Sequence, residues 1–287
     1  MKKLLPLFIA MVTLAFFSCE KELSLENGGN VTNTNIIGAD CRITKIVYAD
    51  STTGIGKGSL AAIINSADKA ADVTLFDSIT STIDYNSLPV YVGDTIFINA
   101  DEYFVMDVST FRVNKFHGLI DPTNPFSAEF DESFTYDASG YLVAKLFSGP
   151  LINFGIPYLA VSYTYTGGNL TGMTEIDLTT GNLNKDAQLT YYNTNAPKNF
   201  LYLFPDEDSY AEYTQFLNFG KRPTNAVQNF KIRYYDPGNI LKDSLVSSFN
   251  NYTKSVDNYV TSVIMQGNDQ PSIPAIAGKL KFSYKCK

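Results

Sequence analysis

The sequence predicts a mainly β protein: an antiparallel meander of hairpins forming a strongly curved or barrel-like sheet, with one or two short helices. Three observations carry this reading. Apolar and polar residues alternate in Val161-Ser162-Tyr163-Thr164-Tyr165, in Phe230-Lys231-Ile232-Arg233-Tyr234 and in Lys279-Leu280-Lys281-Phe282-Ser283-Tyr284-Lys285, the period of a half-buried strand. Between such runs stand residues that tolerate the left-handed backbone a tight turn needs: Asp137-Ala138-Ser139-Gly140, Gly167-Gly168-Asn169, Thr180-Gly181-Asn182 and Asp236-Pro237-Gly238. Third, an aromatic strand, a glycine turn and an apolar return recur at Phe134–Leu142, Tyr163–Leu170 and Arg233–Ile240, so one hairpin unit is reused. An open sheet beyond about ten strands tends to curl or split, which is why curvature is expected.

At the N-terminus, Met1-Lys2-Lys3 precedes the uncharged apolar run Leu4–Phe17 and a small-residue point at Ser18-Cys19, the order of an export signal. The run is too short for a bilayer span of about 20 residues. Cysteine directly after it resembles the lipobox of bacterial lipoproteins, which implies cleavage after residue 18 and acyl chains on Cys19; a plain secretory signal is the alternative. Two or more acyl chains make a stable anchor. Residues 19–40 read as a tether, polar through Glu20-Lys21-Glu22 and Glu26-Asn27-Gly28-Gly29-Asn30, about 20 residues with a reach of about 25 Å. Its acidic start resembles the export tag of Bacteroidota surface lipoproteins, and reads equally as the start of a solvated linker. The expected place is the outer membrane.

Residues 41–287 form the body, with 41–125 and 126–287 as candidate subregions. The chain is 45% hydrophobic, enough to fill a core. Without Lys2 and Lys3 it carries 20 basic against 29 acidic side chains, a net charge of −9, which disfavours nucleic acid as a partner. With Cys19 spent on lipid, Cys41 and Cys286 remain; in an oxidising exterior an even pair reads as a disulfide, against two unrelated thiols. Leu280, Phe282, Tyr284 and Cys286 share the apolar side of the last strand. Two segments read as short helices: alanine-rich Ser59–Ala71 behind a capping serine, and Asp206–Phe219, acidic at its start and stopped by Gly220.

From Phe134 to Lys287 the hairpin spacing, together with Gly220-Lys221-Arg222-Pro223-Thr224-Asn225, resembles an uncharacterised domain family of Bacteroidota lipoproteins, which implies no activity. The single hairpin unit is similar to the Tyr-Asp repeats of large bacterial shell proteins, but three copies are too few for a shell.

Candidate chemistry is sparse. Gly54-Ile55-Gly56-Lys57-Gly58-Ser59 has lysine among glycines but lacks the glycine and hydroxyl of a phosphate loop, so it reads as a loop before a helix. His117 is the one histidine; catalysis of the Ser-His-Asp kind must use it, and a surface or turn histidine is the plainer reading. Asp206-Glu207-Asp208 lacks the spacing of a calcium loop. Asp50-Ser51-Thr52, Asp77-Ser78-Ile79, Asp94-Thr95-Ile96 and Asp243-Ser244-Leu245 resemble the O-glycosylation acceptor of Bacteroidota exported proteins. The surplus of 19 tyrosines, with no tryptophan, fits either rings stacking on sugars or packing of the sheet on itself. No catalytic residue, metal site or cofactor is assigned. The expected role is a non-enzymatic ligand-binding or surface-scaffold protein, with a glycan or small apolar molecule as ligand. The alternatives are a glycan- or peptide-directed hydrolase and an apolar-ligand carrier.

Overall fold

The computed structural model describes residues 14–15, 42–51, 53–64, 69–77, 81–120, 128–149, 155–195, 202–203, 213, 217–268 and 276–285. Two short segments, β1 (Leu14–Ala15) and β15 (Tyr202–Leu203), pair only with each other. The meander opens with β2 (Arg42–Asp50), β3 (Gly56–Ile64), β4 (Ala70–Asp77), β5 (Thr82–Ser87), β6 (Val90–Val92) and β7 (Thr95–Phe97). It continues through β8 (Tyr103–Met106), β9 (Val113–Leu119), β10 (Glu129–Tyr136), β11 (Leu142–Ser148), β12 (Leu159–Thr166) and β13 (Asn169–Asp177). The last part is β14 (Leu183–Asn195), β16 (Asn225–Asp236), β17 (Ile240–Lys254), β18 (Val260–Asn268) and β19 (Ile276–Lys285).

Except between β5 and β6, each strand of the meander pairs antiparallel with the next, β14 passes to β16, and β19 returns to β2, so the strands form a barrel-like ring. One seam interrupts the ladders: β5 pairs with β4 and β6 with β7, the two being one run of chain broken at Leu88-Pro89. Proline has no N–H to give a ladder, and Ser87 Oγ donates instead to the Ile98 carbonyl at 2.6 Å. Both candidate subregions contribute to this one ring. The predicted turns form as their residues require, with Gly140, Gly168, Gly181 and Gly238 all at positive φ.

Alternation then sorts side chains between two faces. On β10, Phe130, Glu132 and Phe134 are buried while Glu129, Ser133 and Thr135 are exposed; on β12, Val161 and Tyr163 are buried while Ser162, Thr164 and Thr166 are exposed. The inward set makes one continuous apolar core. It is filled partly by the segment between β15 and β16. The ring centroid of Tyr213 lies 5.7 Å from that of Phe104 and that of Phe219 lies 6.2 Å from it, with Tyr213 and Phe219 1% and 3% exposed. The segment then straps one rim: Val113 N donates to Asn218 O, Lys221 N to Gly140 O and Thr224 N to Gly168 O. At Gly220, φ is +93°, and a Cβ would meet the Gly140 carbonyl at 2.6 Å, so the Gly220–Asn225 stretch depends on glycine for this close approach.

The first helix expectation needs correction. Ser59–Ile64 belongs to β3 and Ala70-Ala71 to β4, with Leu60 and Ala62 buried and Ala61 and Ile63 turned outward. Alanine's helix propensity is a weak prior that burial of an alternating face overrides. Most of the second expected helix, Asp206–Phe219, lies outside the described residues, at 206–212 and 214–216; among those described, Leu217 N donates to Tyr213 O at 3.0 Å and residues 217–219 are not helical.

The tyrosine surplus is explained at the strapped rim. Tyr136 at the end of β10 donates to Val113 O on β9 at 2.8 Å, and Tyr191 at the end of β14 to Leu170 O on β13 at 2.8 Å. Tyr252 near the end of β17 donates to Val227 O on β16 at 2.9 Å, and Tyr284 at the end of β19 to Val260 O on β18. Beside each tyrosine its own strand shifts register against its other neighbour, and the hydroxyl supplies the partner that a buried carbonyl requires. Burial raises the ionisation of Tyr136, Tyr191, Tyr252 and Tyr284 far above the usual phenol value.

Candidate functional site

The residues singled out by chemistry fall at separate places. His117 projects from β9 on the outer wall, its ring stacked on Tyr103 with centroids 4.8 Å apart and its Nδ1 2.9 Å from Asp131 Oδ1. Lys115 Nζ lies 2.8 Å from the same carboxylate oxygen. Burial alone would raise the Asp131 pKa, but hydrogen bonds from Lys115 and His117 outweigh it and hold the carboxyl below its ordinary value. This cross-strand cluster sits on a convex face and reads as wall structure.

The glycine-lysine stretch is a hairpin turn entering a strand, which corrects the expectation of a loop before a helix. Thr53 N donates to Asp50 Oδ1 at 2.8 Å, and Lys57 pairs with Asp50 at 3.4 Å. Of the acceptor-like motifs, Ser51 lies in that turn, Thr95 opens β7, and Ser244 is inside β17 with its N–H on the Asp243 carboxylate at 2.7 Å. Thr52, Ser78, Ile79, Asp206, Glu207, Asp208, Cys19, Cys41 and Cys286 lie outside the described residues. Among the described residues, no three His, Cys, Asp or Glu side chains converge as a metal site.

Among the described residues, one concave feature is a groove of about 360 Å³ at the strapped rim, lined by Tyr192, Thr194, Ala226, Asn250, Asn251, Tyr252 and Lys254. Three ladder irregularities open it. Pairing of β16 with β17 stops at Asn229↔Ser248; β14 skips from Tyr191 to Asn195 against β16; β17 skips from Asn250 to Thr253 against β18. Two tyrosines hold the splay in shape, Tyr252 bonding Val227 O at 2.9 Å and Tyr192 reaching Phe249 O at 2.8 Å, their rings edge to face at 6.2 Å. Asn251 has φ +53°, a left-handed conformation that asparagine tolerates better than most residues.

Comparison with solved structures shows what this architecture is similar to. A porin-like protein from Bacteroides uniformis ATCC 8492 superposes with a TM-score of 0.56 at 9% identity, covering 85% of this chain and 98% of that one. One from Bacteroides vulgatus ATCC 8482 gives 0.52 at 11% identity, covering 86% and 99%. The likeness is one of fold. No family model matches the sequence, and no curated protein matches it either.

The polarity of the two faces is the property that decides what such a barrel can do. A barrel wall facing lipid needs an apolar band about 25 Å tall. Here the outer wall carries Asp186 paired with Arg233 through two bonds of 2.7 Å, Ser162 and Thr174 oxygens 2.6 Å apart, and Asn229 donating to Thr190 at 3.0 Å. Exposed apolar residues stand among these polar ones, with Ile63 on β3, Ile83 on β5, Val90 on β6, Leu146 on β11, Ile176 on β13 and Val246 on β17. Inside, one ion pair is sealed among rings: Lys145 Nζ lies 2.6 Å from Glu132 Oε1, at 2% and 0% exposure, 5.4 Å from the Phe147 centroid. A second inward pair, Lys185 on β14 with Glu175 on β13 at 3.1 Å, lies elsewhere on the ring.

The sequence reading missed the groove. Its signal was there in Asn250-Asn251, two poor strand formers in an otherwise strand-like run, the mark of a bulge.

Proposed function

We propose that this chain is a non-enzymatic binding or surface-scaffold protein of the cell envelope, tethered to the outer membrane through lipid on Cys19, with its barrel standing outside the bilayer. The observation that carries the reading is the polarity of the barrel: a hydrogen-bonded polar outer wall around a lumen packed with apolar side chains. Placing Lys, Arg or Asp at a bilayer midplane costs a few kcal/mol each, so a wall bearing Asp131, Lys115, Asp186 and Arg233 suits water. The filled lumen favours the outer surface and the groove as the working parts over an enclosed apolar-carrier cavity. Arg42 and Lys285, at the two ends of the described body, pair at the strapped rim, so a tether from residue 41 leaves from that side.

Two measurements test this. Membrane fractionation should move the protein from membrane to soluble fraction on Cys19→Ser, and residues 40–287 should give no conductance steps in a planar bilayer. Retention of the Cys19→Ser protein in the membrane, or defined single-channel steps, would sink the reading.

A further inference from the structure

We propose that the groove between β14, β16 and β17 is a saccharide site that prefers a sugar bearing a carboxylate; this rests on the binding-protein reading above and gives that surface its ligand class. The lining is amide, hydroxyl, aromatic ring and cation. Asn250, Asn251 and Thr194 line the groove, so two amide residues and a hydroxyl residue stand at it. An amide both donates and accepts, which matches the paired hydroxyls of a sugar ring. Tyr192 and Tyr252 supply ring surface for the apolar face of a pyranose. Their own hydroxyls are committed to the Phe249 and Val227 carbonyls, so the rings are fixed before any ligand arrives, and little ordering cost remains at binding. Lys254 is the one cation of the lining, and no carboxylate lines the groove beside it. A lone ammonium at the edge of an amide-rich groove favours an anionic group on the ligand. An open groove at a rim also accepts a chain lying along it, as an oligosaccharide would.

Isothermal titration of residues 40–287 with tetragalacturonate, neutral galactotetraose and a tetraglutamate peptide tests this. Tetragalacturonate should bind saturably, and the neutral tetramer about tenfold more weakly, the scale of one charge-assisted hydrogen bond. Lys254→Gln should weaken tetragalacturonate about tenfold and so remove its preference over the neutral tetramer. Asn250→Ala should weaken both sugars, and the Asn251→Gly variant, which keeps the left-handed backbone, should do likewise, each with an unchanged unfolding midpoint. Binding of neither tetramer, or binding that survives both asparagine changes, overturns the site. Tetraglutamate binding as tightly as tetragalacturonate reduces the groove to a simple cation and overturns the sugar assignment. None of these outcomes touches the conductance and fractionation results, so the envelope reading stands or falls separately.

Discussion

The inner and outer faces of this barrel are made by the same strands, residue by alternate residue, and yet they obey opposite rules. Lys145 and Lys231 show the contrast. Lys145 points inward from β11, is 2% exposed, and is held against Glu132 between the rings of Phe134 and Phe147. Lys231 points outward from β16 into water. The inner face tolerates charge only as a closed pair, because an ion removed from water must recover its solvation from a partner. The outer face carries charge freely, because each of its pairs adds little to what water already supplies. A bilayer-spanning barrel keeps hydrocarbon on its outer face; here charged side chains such as Lys231 stand on that face beside apolar ones.

The largest expected effect tests that asymmetry directly. Lys145→Met leaves Glu132 ionised and buried, and should cost about 3–5 kcal/mol of unfolding free energy. The Glu132→Leu, Lys145→Met double variant should recover most of the loss, since an apolar pair of similar volume replaces a costly ionic one. Lys231→Met should change stability by less than about 0.5 kcal/mol. Urea unfolding followed by circular dichroism reads all three. Equal losses at Lys145 and Lys231 would mean that the two faces are not energetically distinct.

Next in size is the place where the ends of the chain meet. The ladder between β2 and β19 runs as far as Arg42↔Lys285, one residue short of Cys41 and Cys286. We propose that these two thiols, adjacent to a formed antiparallel pair, give up two protons and two electrons to an external oxidant and form a disulfide. Closing so long a loop should stabilise by about 2–4 kcal/mol. Non-reducing intact mass should be lower by two hydrogens, and reduction should shift the urea midpoint down. Two free thiols in the exported protein would refute it.

A smaller effect belongs to the tyrosine rim. Tyr136→Phe or Tyr284→Phe removes the donor to the Val113 or Val260 carbonyl and should cost about 1 kcal/mol each. Changing both should be nearly additive, since each hydroxyl serves a different pair of strands. A loss indistinguishable from zero would show that water replaces the phenol there.

Much of this architecture was legible locally. Alternation named the strands, and glycine named the turns at Gly140, Gly168, Gly181 and Gly238, because both signals act over a few residues. The alanine run at residues 59–71 misled, since Ala61 and Ala62 fit either period and only the buried partners of Leu60 decide between them. Closure was less legible still: β19 recognises β2 across nearly the whole chain, and Tyr213 and Phe219 fill a lumen whose walls are set by strands far from them in sequence. The groove depends on three register slips coinciding at one rim, something no single segment encodes, although Asn250-Asn251 marked one of the three.

The outer face offers the finest test of the contrast, through pH. The Asp131 carboxyl is held below its ordinary value by Lys115 and His117 against the opposing effect of partial burial. A lowered folded-state pKa means that the unfolded chain takes up the proton first. The stabilising contribution is therefore fully present above the unfolded carboxylate value of about 4, and it fades as pH falls through the lower folded value. Carboxyl-carbon NMR should show Asp131 titrating below the ordinary carboxylate value. In Lys115→Met the Asp131 midpoint should move up, because the strongest donor has gone. Stability at neutral pH should barely change, as befits a pair on the wet side of the wall. A neutral-pH loss as large as that of Lys145→Met would show that Lys115 and Asp131 act as a buried pair, and would erase the distinction between the two faces at this point of the barrel.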